Sequence, residues 1–210
     1  GKLTTRIKDL RCRKVLEELV LAGAPEEILY DNKPHIGTDK LKSVVKEIRK
    51  KIILLGGEVC FESKVTDLEM TDGKITGVVV NGSNRLETDD VILSIGHSAR
   101  DTLELLYKKE VQMEQKPFAM GVRIEHPQKM INEAQYGDKA EKLGAADYKL
   151  TWKAKNGRSV YSFCMCPGGY VVAASSEEGR LAINGMSEYA RDGENANSAL
   201  LVQVFPEDYG

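Results

Sequence analysis

The sequence contains no Gly-x-Gly-x-x-Gly stretch in its 210 residues, so the usual dinucleotide phosphate loop is missing. It also contains no apolar run approaching the ~18 residues that a membrane helix needs. The opening Gly1-Lys2-Leu3-Thr4-Thr5-Arg6 is too polar for a secretory leader. Cysteine is scarce: there are four, and Cys164 and Cys166 are the close pair. That is no disulfide framework, and it points to a reducing cytoplasm. Neither sign of charge dominates, with 30 Lys and Arg against 32 Asp and Glu. This argues against a general nucleic-acid binder, which carries a basic excess. No second Cys or His pair has metal-ligand spacing, so no metal is expected. There is no initiating Met, and the closing Phe205-Pro206-Glu207-Asp208-Tyr209-Gly210 completes no element. The chain therefore reads as a piece of a longer protein.

What is present is ordinary for a globular chain: 41% hydrophobic and 30% charged residues. Leu10 to Ala22 carries Val15, Leu16, Leu19 and Val20 at helical spacing, with Gly23 as the stop. Pro25 opens a short second helix. Thr38 is the expected N-cap of a third, with Leu41, Val44, Val45, Ile48 and Ile52 on one face and Gly56-Gly57 at its end. The period then changes to two. Residues 58–96 predict four or five short strands, turned by Asp72-Gly73 and Asn81-Gly82. Val91 to Ile95 is an unbroken apolar run, which predicts a strand buried on both faces, as in a parallel sheet. Beyond Lys108 the chain is β-rich. Strands are expected at 117–126, 170–174, 180–184 and 199–205, a short helix at 128–135, and a hairpin about Asn156-Gly157. The fold class is α/β with an added β-rich α+β domain. The expected division is a helical lead-in at 1–33, a cofactor-type domain at 34–108 and a substrate-type domain at 109–210.

The stretch Asp90 to Asp101, DVILSIGHSARD, runs from that strand through Gly96 into a helix. Ser98 and Asp101 have capping-box-like spacing. The helix start offers free N–H groups, and Gly96 lets a ligand approach the backbone. An ordinary capped connection would use the same residues. The preceding helix, strand, meander and glycine-ended strand resemble the second half of the FAD-binding domain in two-dinucleotide-binding flavoproteins. The usual Ala-Thr-Gly ending is replaced here by Ser94-Ile95-Gly96.

Five motifs narrow the resemblance: GKLTTR, IGHSARD, GVRIEHPQ, CMCPGG and NGMS, in that order. Together they are similar to the uncharacterised bacterial FAD-dependent dehydrogenases, also called NAD/FAD-utilising dehydrogenases. The resemblance implies a central portion, with the glycine-rich loop upstream of it and a further FAD-contacting segment downstream. It implies FAD as cofactor and NAD(P)H as a candidate reductant. It also implies a small-molecule substrate, and a cofactor site completed by the rest of the same polypeptide. Carried over by position, Val65 would present backbone to the adenine edge. Ser94, Ile95, Gly96, His97 and Ser98 would line the turn near the cofactor, and Lys2 to Arg6 would end a loop near the flavin. The parent would be a cytoplasmic flavin-dependent oxidoreductase, and this chain alone is expected to bind FAD weakly and to be inactive. The alternative is a non-catalytic ligand-binding or interaction module on a relic flavoprotein fold.

Catalytic candidates are few. Cys164 and Cys166, two apart on a strand, should share a face and suit thiol redox chemistry, although buried cysteines commonly act as small apolar residues. Pro167-Gly168-Gly169 reads as a tight turn. His126 is a candidate acid or base. Arg123 and Glu125 should share a face, as an anion anchor or a surface ion pair. Asn184, with Gly185, Met186 and Ser187, and the polar run 191–198 either line a substrate mouth or form a mobile loop. His35 is ambiguous.

Overall fold

The computed structural model describes residues 3–5 and 7–209; Gly1, Lys2, Arg6 and Gly210, and with them part of the Lys2 to Arg6 stretch, lie outside the described residues. By Cα proximity the chain divides into two compact units. One comprises Gly1–Gly57, Lys116–Ser175 and Gly179–Gly210; the other comprises Glu58–Gln115 and Ser176–Glu178. The helices of residues 1–57 thus group with the β-rich second half. The sequence division instead put residues 34–57 with the meander, because period and composition carry no record of which distant segment an apolar face meets.

The first unit begins with α1 (Arg11–Leu21), a short 3-10 turn (Glu26–Leu29) and α2 (Thr38–Leu54). Their apolar stripes close on Ala24, Ile28, Ile36 and Val44, with Leu16, Leu19, Val20 and Ile48 around them. Burying a side chain of this kind is worth about 1.5–3 kcal/mol. Gly23 adopts φ +97°, the left-handed stop that its place after α1 predicts. Thr38 does not cap α2. Gly37 is the N-cap residue, and the Thr38 hydroxyl donates to the Ser187 carbonyl at 3.1 Å. Asp39 accepts the Tyr189 N–H at 2.9 Å, and the Lys40 ammonium lies 3.1 Å from the centre of the Tyr189 ring. A side chain on Gly37 would overlap the Tyr189 backbone. The start of α2 is therefore anchored to segment 187–189 instead of being closed locally.

The same unit holds β4 (Phe118–Pro127), α4 (Gln128–Tyr136), β5 (Thr151–Lys153), β6 (Ser159–Cys166), β7 (Gly169–Ala173), β8 (Ile183–Ser187) and β9 (Asn195–Val204). One sheet has the order β4-β9-β6-β5, and β7 pairs with β8 in a second. Every pairing is antiparallel. The register aligns Met120, Val202, Val160 and Trp152 in one row, and Val122, Leu200 and Ser162 in the next. That face carries exposed apolar residues: Phe118, Met120, Val122 and Ile124 of β4, and Trp152 of β5. The opposite face carries Arg123, Glu125 and Asn197. Two expectations need correction here. The strand placed at 180–184 runs from Ile183 to Ser187, and the latter part of the run 191–198 is the start of β9, not a loop.

The second unit is a three-stranded antiparallel sheet, β1 (Val65–Thr71), β2 (Lys74–Val80) and β3 (Asn84–Glu87), with α3 (Arg100–Lys108). Leu68, Val78, Val80 and Leu106 form its core, with Val91 and Val111 against them. Asp72 and Gly73, and Asn81 and Gly82, all have positive φ, as the two turn dipeptides require. The meander has three strands, not four or five. Val91 to Ile95 is not a strand either: no strand pairs with it among the described residues, and Ile92 is 92% exposed. An apolar run becomes a strand only where a neighbouring edge takes up its backbone hydrogen bonds. The parallel sheet inferred from it is likewise not present among the described residues, whose sheets are all antiparallel. No helix of the described residues is long and apolar enough to cross a membrane.

Candidate functional site

The sequence motifs GVRIEHPQ, CMCPGG and NGMS converge within the first unit. β9 lies between β4 and β6, so Arg123 of β4 and the cysteines of β6 flank Asn197. The Arg123 Nη1 donates to Asn197 Oδ1 at 2.5 Å and to the Cys164 carbonyl at 3.1 Å. Asn197 has no exposed surface. Its Oδ1 is engaged by the guanidinium, while its Nδ2 is buried with no hydrogen-bond acceptor among the described residues. Gly185 of β8 covers this pair, and a Cβ there would overlap both Asn197 Oδ1 and Arg123 Nη1. The glycine of the NGMS motif is thus a close-approach residue.

β6 changes its count at the cysteines. Phe163 faces Ala199 and Cys166 faces Asn197, so three steps on β6 span two on β9. This is a bulge, and Cys164 takes the left-handed φ of +48° within it. The Cys166 thiol donates to the Cys164 carbonyl at 3.3 Å. Cys164 is half-buried and Cys166 buried. The Cys164 thiol is pushed down to about 5, chiefly by a hydrogen bond from Cys166, against the opposing effect of burial and with further help from Arg123. Cys166 is pushed up, by its bond to Cys164 and by burial.

The turn after the cysteines is braced on several sides. Gly168 has φ +53°, and a Cβ there would overlap the Arg191 carbonyl. Its N–H donates to the Oε1 of buried Gln128 at 2.8 Å. The Gln128 Nε2 donates to Asn132 Oδ1 and to the Ala146 carbonyl, which ties α4 to this turn. Glu125 is spoken for: one oxygen accepts the Val171 N–H and the other the Asn195 side chain, both at 2.9 Å. It makes no pair with Arg123, so the expected surface ion pair does not form. The His126 Nε2 is 2.9 Å from the Tyr148 hydroxyl, and its Nδ1 is buried without a partner among the described residues. Asn184 is exposed on β8, opposite Val172.

His35 is set apart from this group. Its Nε2 lies 2.9 Å from the Glu188 carbonyl, and burial lowers its pKa. It serves the α2 anchorage.

In the second unit, Val65 opens β1 opposite Val80. Ser94, Ile95, Gly96 and His97 are exposed, and Gly96 has φ +70° with open space where a Cβ would stand. The expected Ser98 cap is not formed. Ala99 is the N-cap residue of α3, and the Ser98 hydroxyl is 3.1 Å from His97 Nε2. Asp101 instead pairs with Lys64, which with the Thr102 N–H lowers its pKa. Arg100 pairs with Glu177 at 2.7 Å.

Tyr148 was not singled out from sequence, and Gln128, Asn195 and Asn197 lay in noted stretches without a role as buried or bracing amides. A buried amide with two capable ends looks the same in a string as a surface one. The one available signal was the alternation of Asn195, Asn197 and Ala199 with the apolar run behind them.

Residues 117–210 match the family described as FAD-dependent protein, C-terminal domain-like. The segment holding the Arg123–Cys164–Asn197 group is thus similar to a C-terminal domain of FAD-dependent proteins, and is not a dinucleotide-binding domain. The whole chain is 60% identical, over 212 aligned residues, to an uncharacterised protein of Clostridium beijerinckii. The alignment covers 100% of this chain and 40% of that protein, so the chain spans less than half the length of its relative.

Proposed function

We propose that this chain is the central part of an FAD-dependent oxidoreductase, with residues 109–210 forming most of its substrate-type domain and residues 58–108 part of its flavin domain. The match of residues 117–210 to a C-terminal-like domain of FAD-dependent proteins carries this reading. Ser94 to Ser98 suit one side of a cofactor: Gly96 is open, and His97 and Ser98 offer polar groups beside the start of α3. Val65 would present backbone to the adenine. No glycine-rich phosphate cradle occurs in the sequence, so these residues would hold one edge of FAD and not its pyrophosphate. Bound FAD would supply hydride or electron transfer, with NAD(P)H as a candidate reductant.

The chain's own residues would then position the substrate, a small molecule. Asn184 is exposed and available. Arg123 is held rigidly by Asn197 and Gly185, which suits an anion anchor better than a mobile surface cation. The deciding experiment is the absorbance spectrum of the protein at the full length of its relative. A yellow protein bleached by a nicotinamide nucleotide supports the oxidoreductase. A colourless protein that cannot be reconstituted with FAD overturns it in favour of a binding module. The 210-residue chain should bind FAD weakly in a titration.

A further inference from the structure

We propose that Cys164 and Cys166 form a thiol–disulfide exchange centre for small disulfides, with Cys164 as the attacking sulfur and Cys166 as the resolving one. Three independent features lead there. The first is the bulge. In a regular strand, residues two apart advance about 6.5 Å, beyond the Cβ separation of about 3.5–4.5 Å that a disulfide needs. Here an extra residue and the left-handed turn at Cys164 fold the chain back, until the Cys166 sulfur lies 3.3 Å from the Cys164 carbonyl. The second is the asymmetry of burial. Cys164 is half-buried and keeps exposed surface, while Cys166 is buried. That is the arrangement in which one sulfur meets the substrate and the other waits.

The third is the polar setting. Arg123 is a fixed cation whose hydrogen bonds reach both the cysteine segment and Asn197. A thiolate at Cys164 is stabilised by this neighbouring cation. The lowered Cys164 pKa agrees with this arrangement.

The exchange balances. The Cys164 thiolate attacks one sulfur of a disulfide, and the other sulfur leaves as a thiolate. Cys166 loses its proton to that leaving thiolate and attacks the Cys164 sulfur, releasing the second substrate thiolate, which takes a proton from water. The protein gives up two electrons and becomes the Cys164–Cys166 disulfide; the substrate becomes two thiols. Stabilising the thiolate favours the dithiol, so the disulfide form should be an oxidising one. This chemistry needs no flavin, so a colourless protein would leave it standing.

The test uses the chain as it is. Iodoacetamide alkylation of Cys164, followed by peptide mass, should change less than about threefold between about pH 6 and pH 8, while alkylation of free glutathione in the same tube should change well over tenfold. Excess glutathione disulfide should convert the 164–166 peptide to an internal disulfide. In Cys166→Ser, or Cys166→Ala if the first is poorly folded, glutathione should stay attached to Cys164. An ordinary pH profile for Cys164, or a wild-type peptide with both thiols still free, overturns the proposal, and neither reading depends on a variant.

Discussion

At the scale of single residues, space decides more than charge. Gly185 and Gly144 look alike in the sequence, yet only one of them lies against other atoms. Alanine at 185 would drive a methyl into Asn197 and Arg123, while at 144 it meets nothing within 4 Å. Gly185→Ala should cost about 1–3 kcal/mol as an overpacked site. Gly144→Ala should stay within about 0.5 kcal/mol, as a surface change does. Denaturant unfolding of the two variants checks the contrast. This is also the scale at which the sequence was least legible. Cys164, Cys166, Arg123 and Gly185 all sat in noticed motifs. Their meeting depends on Asn197 and Gln128, whose buried amides have no signature of their own. Glu125 was noticed for a pairing it does not make, because its partners come from β7 and β9, some fifty and seventy residues away.

At the scale of elements, local pattern was a good guide wherever the determinants were local. α1, α2, β4, α4 and the 151–166 hairpin follow from period, glycine stops and a turn dipeptide. Val91 to Ile95 failed because a strand is a relation between two segments and only one of them was readable. The end of the chain shows such a relation made by charge. Arg158, just before β6, grips Asp208 with two bonds of 2.6 and 2.5 Å and donates to the Gln203 carbonyl, while Asp208 accepts the Phe205 N–H. Asp208 is held down to about 2 from 3.8, first by Arg158 and then by that N–H. A carboxyl lowered in the folded state stabilises it fully above the unfolded value and loses that contribution as pH falls through the folded one. The thermal midpoint of Asp208→Asn should therefore lie below that of the parent above about pH 4, and the gap should close between 3.8 and about 2. Both side chains keep about 30% exposure, so the gap should also shrink with added salt.

At the scale of the whole molecule, two cores share no residue. Leu68→Ala removes a buried side chain from the smaller unit and should cost that unit about 2–5 kcal/mol. Amide exchange should accelerate across β1, β2 and β3 and stay unchanged in β4 and β9. Acceleration throughout would mean that the chain unfolds as one cooperative body. The larger unit gathers three stretches of sequence. Its β-rich second half was visible in composition. That α1 and α2 belong with it was not, since Asp39, Lys40 and Gly37 reveal their partners at 187–189 only in space.

The bulge in β6 makes chain length itself informative. Before it, even-numbered residues such as Val160 and Ser162 share the row of Val122 and Met120; after it, even-numbered Cys166 stands opposite Asn197. The parity of the strand has been reset by one residue. Met165 can therefore be exchanged for another side chain more safely than it can be removed. A deletion there would restore the regular ladder and separate the two sulfurs. Among relatives of this chain, the spacing of the two cysteines should be kept more strictly than the identity of the residue between them.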